Sequence, residues 1–197
     1  IGKFFVWRYA GFTEDGNWML YDKDGNAFDV TERTKTIDDK AFVGNAIPVV
    51  QLSWDHSVSY KNWELYVLFT SWLGHDIFNT INMYFGLPNV EEQNVLKDAF
   101  KKHKNVKGEK ELCDYWIEDG DFLKLKNVTL RYNFNTSSVK FLQNASVYLS
   151  GRDLLTLTKY SGMEPESNIN GLDPGFEWFN NLYPRTQTWT LGIQLTF

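Results

Sequence analysis

Apolar and polar side chains alternate with a period of two along five stretches of this chain. Over residues 186–197, Trp189, Leu191, Ile193, Leu195 and Phe197 fall on one side, and Thr188, Thr190, Gly192, Gln194 and Thr196 on the other. Residues 50–60 set Leu52, Trp54, Val58 and Tyr60 against Gln51, Ser53, Asp55, Ser57 and Ser59, with His56 interrupting the apolar side. Residues 62–72 set Trp63, Leu65, Val67 and Phe69 against Glu64, Tyr66 and Thr70, with Leu68 as the exception. Residues 123–134 set Val128, Leu130, Tyr132 and Phe134 against Asn127, Thr129, Arg131 and Asn133. Residues 143–152 set Ala145, Val147 and Leu149 against Ser146, Tyr148, Ser150 and Arg152. Successive side chains of a strand point to opposite faces, so each stretch predicts a strand with one apolar and one polar face. Residues 3–10, aromatic but less regular, predict a sixth.

The connections run long, very short, long, short, long: residues 11–48, 60–62, 73–121, 135–142 and 153–185. Every second one is long, as in an antiparallel meander whose long loops all leave one end. Strands of about ten residues, tilted, cross a bilayer, and outer-membrane barrels pair short periplasmic turns with long outer loops. The fold class predicted is therefore all-β, a transmembrane antiparallel β-barrel of which about six strands are present. All Asp and Glu except Asp55 and Glu64 fall in the three long connections. Strands are poor in carboxylates generally, so this agrees with a barrel without deciding it. Inside the second long connection, Val90, Val95, Leu96, Ala99 and Phe100 recur at helical spacing before Lys101, Lys102 and Lys104, predicting a short surface helix over 90–104.

Composition narrows the classes. The formal net charge of −5 has the wrong sign for a nucleic-acid binder. No apolar run reaches the roughly 18 residues of a membrane helix. A single cysteine, Cys113, excludes an internal disulfide and a cysteine-based zinc cluster. The three histidines, His56, His75 and His103, show no ligand spacing, and no nucleophile elbow or phosphate loop is present. Glu164 and Glu166 read as loop carboxylates, so no enzyme is expected. The chain begins at Ile1 rather than Met and reads as an internal start, a fragment or a processed product.

Three blocks resemble a known family. The first is Lys61-Asn-Trp-Glu-Leu-Tyr-Val-Leu-Phe, continuing to Asp76-Ile-Phe-Asn. The second is Asp114-Tyr-Trp-Ile-Glu-Asp-Gly-Asp-Phe-Leu-Lys-Leu-Lys-Asn-Val-Thr-Leu-Arg-Tyr-Asn-Phe. The third runs from Val147-Tyr-Leu-Ser-Gly-Arg-Asp to Gly162-Met-Glu-Pro-Glu and closes with Tyr183-Pro-Arg-Thr-Gln-Thr-Trp-Thr-Leu-Gly-Ile-Gln-Leu-Thr-Phe. Together they resemble the C-terminal part of a SusC/RagA-type TonB-dependent outer-membrane transporter, with residues 1–197 all belonging to its barrel. The resemblance implies a barrel of about 22 strands, an N-terminal plug and a TonB-contacting segment outside this chain, a SusD-like surface lipoprotein as lid, and import of oligosaccharides or peptides in Bacteroidetes-type bacteria. It also makes the terminal Phe197 an assembly signal. The sequence departs from the family in having residues 101–111 where a Trp-Thr-Pro-rich stretch is frequent.

The candidate site residues follow from both readings. Binding residues concentrate on loops held by a rigid scaffold. Asn168, Asn170 and Asn180 can donate and accept hydrogen bonds, and Phe176 and Trp178, with Phe179 and Tyr183, offer flat apolar faces to sugar rings, a peptide backbone or a lid protein. Arg131 and Tyr148 would face the lumen. Asp22, Asp24 and Asn26 are spaced like the first ligands of a calcium loop, against which stands a plain Asp/Gly turn lacking the distal bidentate Glu. The competing function is a soluble all-β carbohydrate-binding module with an aromatic platform, built as a self-sufficient sandwich.

Overall fold

The computed structural model describes residues 2–89, 94–139, 141–178 and 185–197. In chain order its strands are β1 (Phe4–Phe12), β2 (Trp18–Tyr21), β3 (Ala27–Asp29), β4 (Lys40–Val43), β5 (Val50–Tyr60), β6 (Trp63–Leu73), β7 (Asp76–Phe78), β8 (Ile117–Asp119), β9 (Phe122–Phe134), β10 (Asn144–Thr158) and β11 (Thr188–Thr196). Two short helices are α1 (Thr80–Phe85) and α2 (Ala99–Lys102). The chain divides into two units, a long-stranded sheet and a module made of the long connections.

The sheet is a five-stranded antiparallel meander in the order β11-β10-β9-β6-β5. Its register aligns like with like across the strands. Val58, Leu65, Leu130, Leu149 and Leu191 form one continuous apolar row, and Tyr60, Trp63, Tyr132, Val147 and Ile193 form the next on the same face. Between them lies the polar row Ser59, Glu64, Arg131, Tyr148 and Gly192, pointing to the other face. An 11-residue strand such as β5 extends about 36 Å, or about 25 Å when tilted by 45°, the height of an apolar barrel band. The apolar rows are uncovered: Leu191 is 75% exposed and Ile193 73%. A soluble sandwich would bury this face under a second sheet, so the soluble module is not the architecture found.

The hairpin β5–β6 turns on Lys61 and Asn62, with Lys61 in the left-handed region at φ 54°. Asn62 fixes this turn to β9: its side-chain amide donates to the Asn133 carbonyl at 2.8 Å, and Asn133 N–H donates back to the Asn62 carbonyl at 2.8 Å. β10 runs six residues beyond the predicted end at Arg152. The cause is a bulge, in which the register slips between Arg152 and Leu155 and Asp153 adopts φ 50°. The Lys126 ammonium meets the Asp153 carboxylate across it at 3.4 Å. Beyond the bulge, Leu155 and Leu157 pair with Leu125 and Leu123, so the apolar face continues out of phase with the alternation that precedes it.

The sixth predicted strand forms, but not in this sheet. β1 pairs with β2 and β4 in a separate four-stranded antiparallel sheet of order β3-β2-β1-β4. Its Phe4 and Val6 are 1% exposed and join Trp18, Leu20, Phe78, Leu87, Cys113 and Trp116 in the core of the loop module. An aromatic alternation reports burial on one face, whether the covering is lipid or protein, and here it is protein. Within the predicted helix over 90–104, the described residues 94–104 hold only the single turn of α2, and residues 90–93, Val90 among them, lie outside the described residues. The helix at Thr80–Phe85 was not expected; Asn79 caps it, its side-chain oxygen accepting from Asn82 N–H at 2.9 Å.

Candidate functional site in the loop module

The stretch 159–178 is organised by a buried carboxylate. Glu177 is fully buried; one oxygen accepts the N–H groups of Met163 (2.9 Å) and Glu164 (3.0 Å), and the other accepts the Tyr160 hydroxyl at 2.5 Å. Its own backbone N–H bonds the Phe78 carbonyl at 3.1 Å, Phe78 N–H bonds the Gly175 carbonyl at 2.8 Å, and the Thr80 hydroxyl donates to the Glu177 carbonyl. The loop is thereby sewn to β7 and α1. Burial pushes both the Glu177 carboxyl and the Tyr160 phenol above their ordinary ranges; Glu177 raises the phenol further, whereas the Tyr160 hydroxyl and the two backbone amides oppose the rise of Glu177.

The predicted aromatics sit on this scaffold. Phe176 stacks between Phe78 (5.0 Å, 27°) and Trp178 (5.4 Å, 13°), with Phe4 edge-on at 5.3 Å. Phe176 is therefore an anchor packed from both sides, while Trp178 keeps an exposed ring. Asn168 and Asn170 are exposed; the Asn168 side-chain oxygen accepts Asn170 N–H at 2.9 Å, and its carbonyl accepts Gly175 N–H at 2.8 Å, closing the loop on itself. Asn180, Phe179 and Tyr183 lie outside the described residues.

Arg131 and Tyr148 belong to the sheet. Arg131 donates to the Gln194 side-chain oxygen at 3.1 Å and stands 5.7 Å from the Tyr148 ring centre, while Asn133 donates to Glu64 at 2.8 Å. Arg131, Gln194, Asn133 and Glu64 border a polar recess of about 330 Å³ on the face opposite the apolar rows.

Asp22, Asp24 and Asn26 form the β2–β3 turn. One Asp22 oxygen accepts the N–H groups of Asp24 (2.9 Å) and Asn26 (2.8 Å), and the other meets Arg33 at 3.2 Å. Gly25 at φ 88° completes the hairpin. Arg33 continues to Asp39 at 3.0 Å, and Asp39 also accepts from Thr36 N–H at 2.9 Å. The Asn26 N–H holds the Asp22 carboxyl below its usual range, and the Thr36 N–H does the same for Asp39. Among the described residues no three His, Cys, Asp or Glu side chains converge as a metal cluster.

A second polar assembly was invisible in the sequence because its members are far apart in it. Glu118 on β8 gathers Asn79, Asn82 and Ser161: Asn79 Nδ2 and Ser161 Oγ each donate to one carboxylate oxygen at 2.8 Å, and Ser161 N–H to the other at 2.8 Å. Asn82 Nδ2 donates to Ser161 Oγ at 2.8 Å. Glu118, Asn82 and Ser161 border a cavity of about 450 Å³ with Tyr115 and His103 on its wall. His103 bonds the Gly86 carbonyl through Nδ1 at 2.7 Å and the Tyr115 hydroxyl through Nε2 at 2.7 Å. A carbonyl can only accept, so Nδ1 carries the proton and Nε2 accepts from Tyr115. Burial pushes the His103 pKa down, which favours this neutral form.

No family model matches the chain. Curated relatives do: TonB-dependent receptor P3 of Formosa agariphila is 25% identical over 100% of this chain and 22% of its own length, and TonB-dependent receptor SusC of Bacteroides thetaiotaomicron is 33% identical over 44% of this chain and 8% of its own. The chain is a homologue of SusC-type TonB-dependent receptors. The solved structures agree on the fold. The RagAB peptide transporter superposes with a TM-score of 0.75 at 24% identity over 99% of this chain and 23% of that one, and the closed-closed state of the RagAB peptide importer with 0.73 at 25% over 98% and 23%. The five-stranded meander is thus a sector of a transmembrane β-barrel of the TonB-dependent receptor type. The chain spans about a fifth of the length of receptor P3 and of the RagAB chains it matches.

Proposed function

We propose that this chain forms part of the wall and outer loops of an outer-membrane importer that takes up oligosaccharides or peptides, works with a SusD-like surface lipoprotein, and draws its energy from a TonB complex acting through segments outside residues 1–197. The observation that carries this reading is the sheet with one uncovered apolar face and one polar face, at bilayer-crossing strand length, in a chain homologous to TonB-dependent receptors. A lipid-facing wall must satisfy all its backbone groups between strands, which a closed barrel does. Gated import asks for no covalent chemistry from these residues. The loop module supplies the mouth: Trp178, Asn168 and Asn170 are its exposed aromatic and amide groups, suited to a nutrient or to the lid. Arg131 and Tyr148 line the lumen.

The test is topological and functional together. In the intact receptor on whole cells, an impermeant thiol reagent should label Asn168→Cys and miss Ser137→Cys, which lies in a short turn. A receptor with residues 167–178 shortened should still assemble in the outer membrane yet lose growth on its nutrient or co-purification of the lid. Labelling of Ser137→Cys alone would invert the topology, and undiminished growth and lid capture would remove this loop from the mouth.

A further inference from the structure

Four steps of the chain join an Asp or an Asn to a following glycine: Asp15–Gly16, Asp24–Gly25, Asp119–Gly120 and Asn170–Gly171. At such a step the backbone nitrogen of the second residue lies within reach of the side-chain carbonyl carbon of the first, and attack closes a five-membered imide. Glycine hinders the attack least, because it carries no Cβ beside the nitrogen. Asparagine is the more reactive partner, since an ionised carboxylate repels a nucleophile and a carboxamide does not. The attacking nitrogen gives up its proton, so an N–H held in a hydrogen bond is protected.

At three of the four steps the glycine N–H is held. Gly16 donates to the Thr13 carbonyl at 3.0 Å, Gly25 to the Asp22 carbonyl at 3.1 Å and Gly120 to the His75 carbonyl at 2.9 Å. At the fourth, neither the Gly171 N–H nor the Asn170 carboxamide makes a hydrogen bond among the described residues. Both residues are exposed, a Cβ built on Gly171 would meet nothing within 4 Å, and the adjoining Leu172 is 99% exposed. The reacting atoms therefore stand open to water at the tip of a loop whose base is closed by Gly175 N–H on the Asn168 carbonyl at 2.8 Å.

We propose that Asn170–Gly171 is a spontaneous modification site, at which Asn170 is converted to aspartate or isoaspartate as the protein ages. The Gly171 nitrogen loses its proton to solvent base and bonds to Asn170 Cγ; the Cγ–Nδ2 bond breaks, and the nitrogen takes up a proton and leaves as ammonia. Water then opens the imide. Cleavage of the new Cγ–N bond gives aspartate, and cleavage of the original peptide C–N bond gives isoaspartate, in which the chain runs through the former side chain. Residues 167–175 contain one charged side chain, Asp173. Either product adds a second carboxylate and replaces a group that donates and accepts by one that only accepts. Isoaspartate also inserts a methylene into the backbone inside the Asn168–Gly175 closure. The loop thus has a neutral-amide form and a later, more acidic one, whatever nutrient the receptor carries.

The experiment uses the intact receptor, folded in detergent or denatured in guanidinium chloride, incubated in oxygen-18 water at pH 6 and at pH 9. The tryptic fragment 160–185 is then sequenced by mass spectrometry. Position 170 should take up oxygen-18 in both aspartate and isoaspartate, faster at pH 9, and at about the same rate folded as denatured. Isoaspartate at positions 15, 24 and 119 should form roughly tenfold more slowly in the folded receptor than in the denatured one, the scale of a hydrogen bond that must open first. Asn170→Gln, one methylene too long for the five-membered ring, should abolish conversion at that position. Gly171→Ala should slow it in the denatured receptor as well as in the folded one, so strain at the Gly171 φ of 87° does not decide the result. Aspartate formed without isoaspartate, a rate at Asn170 suppressed by folding as strongly as at the other three steps, or conversion undiminished in denatured Gly171→Ala would each overturn the assignment.

Discussion

Gly192 lies directly opposite Tyr148 in the β10–β11 ladder, and the Tyr148 ring lies across it. A Cβ at position 192 would fall 2.4 Å from Tyr148 Cζ and 2.5 Å from its oxygen. The glycine is required by the ring rather than by backbone conformation. Gly192→Val should displace Tyr148 and loosen its contact with Arg131, at a cost of about 1–3 kcal/mol. The same substitution in a Tyr148→Ala background should cost much less. A double-mutant cycle on thermal unfolding of the intact receptor in detergent measures the coupling; additive effects would mean that the ring does not fill that space.

The two faces of β11 should respond oppositely to charge. Leu191→Arg puts a guanidinium at the β11 end of the apolar row that includes Leu130 and Leu149, and should cost about 2–4 kcal/mol in lipid or detergent. Thr190→Arg, one residue away on the polar face, should cost little. Folding yield into vesicles compares them, and equal losses would refute the assignment of faces.

Glu177 should be the residue on which the 159–178 loop depends. Glu177→Ala leaves two backbone amides and a phenol without their acceptor, at about 1–3 kcal/mol for each buried group stranded. Hydrogen exchange should then rise at Met163 and Glu164 while the ladder between β9 and β10 stays protected. Equal loosening of both would make the effect global.

Acid should act in opposite directions on two parts of the loop module. Asp22 and Asp39 have folded pKa values below the unfolded one, so their contribution is complete above the ordinary carboxylate range near 3.8 and is lost as pH falls through the lowered values. Glu177 has a raised folded pKa, so its contribution is complete below its unfolded value of 4.5 and declines as pH rises through the folded one. Between pH 6 and pH 3, protection factors should fall in the β2–β3 hairpin and hold or rise at residues 160–164. A parallel fall in both would contradict the Glu177 assignment.

The alternation of β5, β6, β9 and β11 was readable to within two residues because a half-buried strand repeats every second residue without regard to what covers it. That indifference is also why β1 was misassigned: Phe4 and Val6 look the same to a pattern whether they meet lipid or Phe78 and Phe176. β10 was cut short because the bulge at Asp153 resets the phase, and a period cannot be followed through an inserted residue. The site was legible in part. Trp178, Asn168 and Asn170 were found as exposed loop groups, but Phe176 proved to be an anchor, and Asp22 binds its own turn and Arg33. Glu177, Glu118 and Ser161 left no local signal, since the bonds that join them to their partners span 13 to 43 positions of sequence.

The two outermost strands, β5 and β11, each leave one row of backbone groups without a neighbouring strand in the five-stranded sheet. In the language of polymer chemistry, the 197-residue chain made by itself is a bifunctional monomer. Each copy carries two reactive ends, and nothing in either edge, free of proline and nearly free of charge, caps its growth. Isolated chains should therefore lengthen into ribbons by strand addition, with an average length that rises with concentration, and a peptide copied from residues 188–196 should act as a chain stopper.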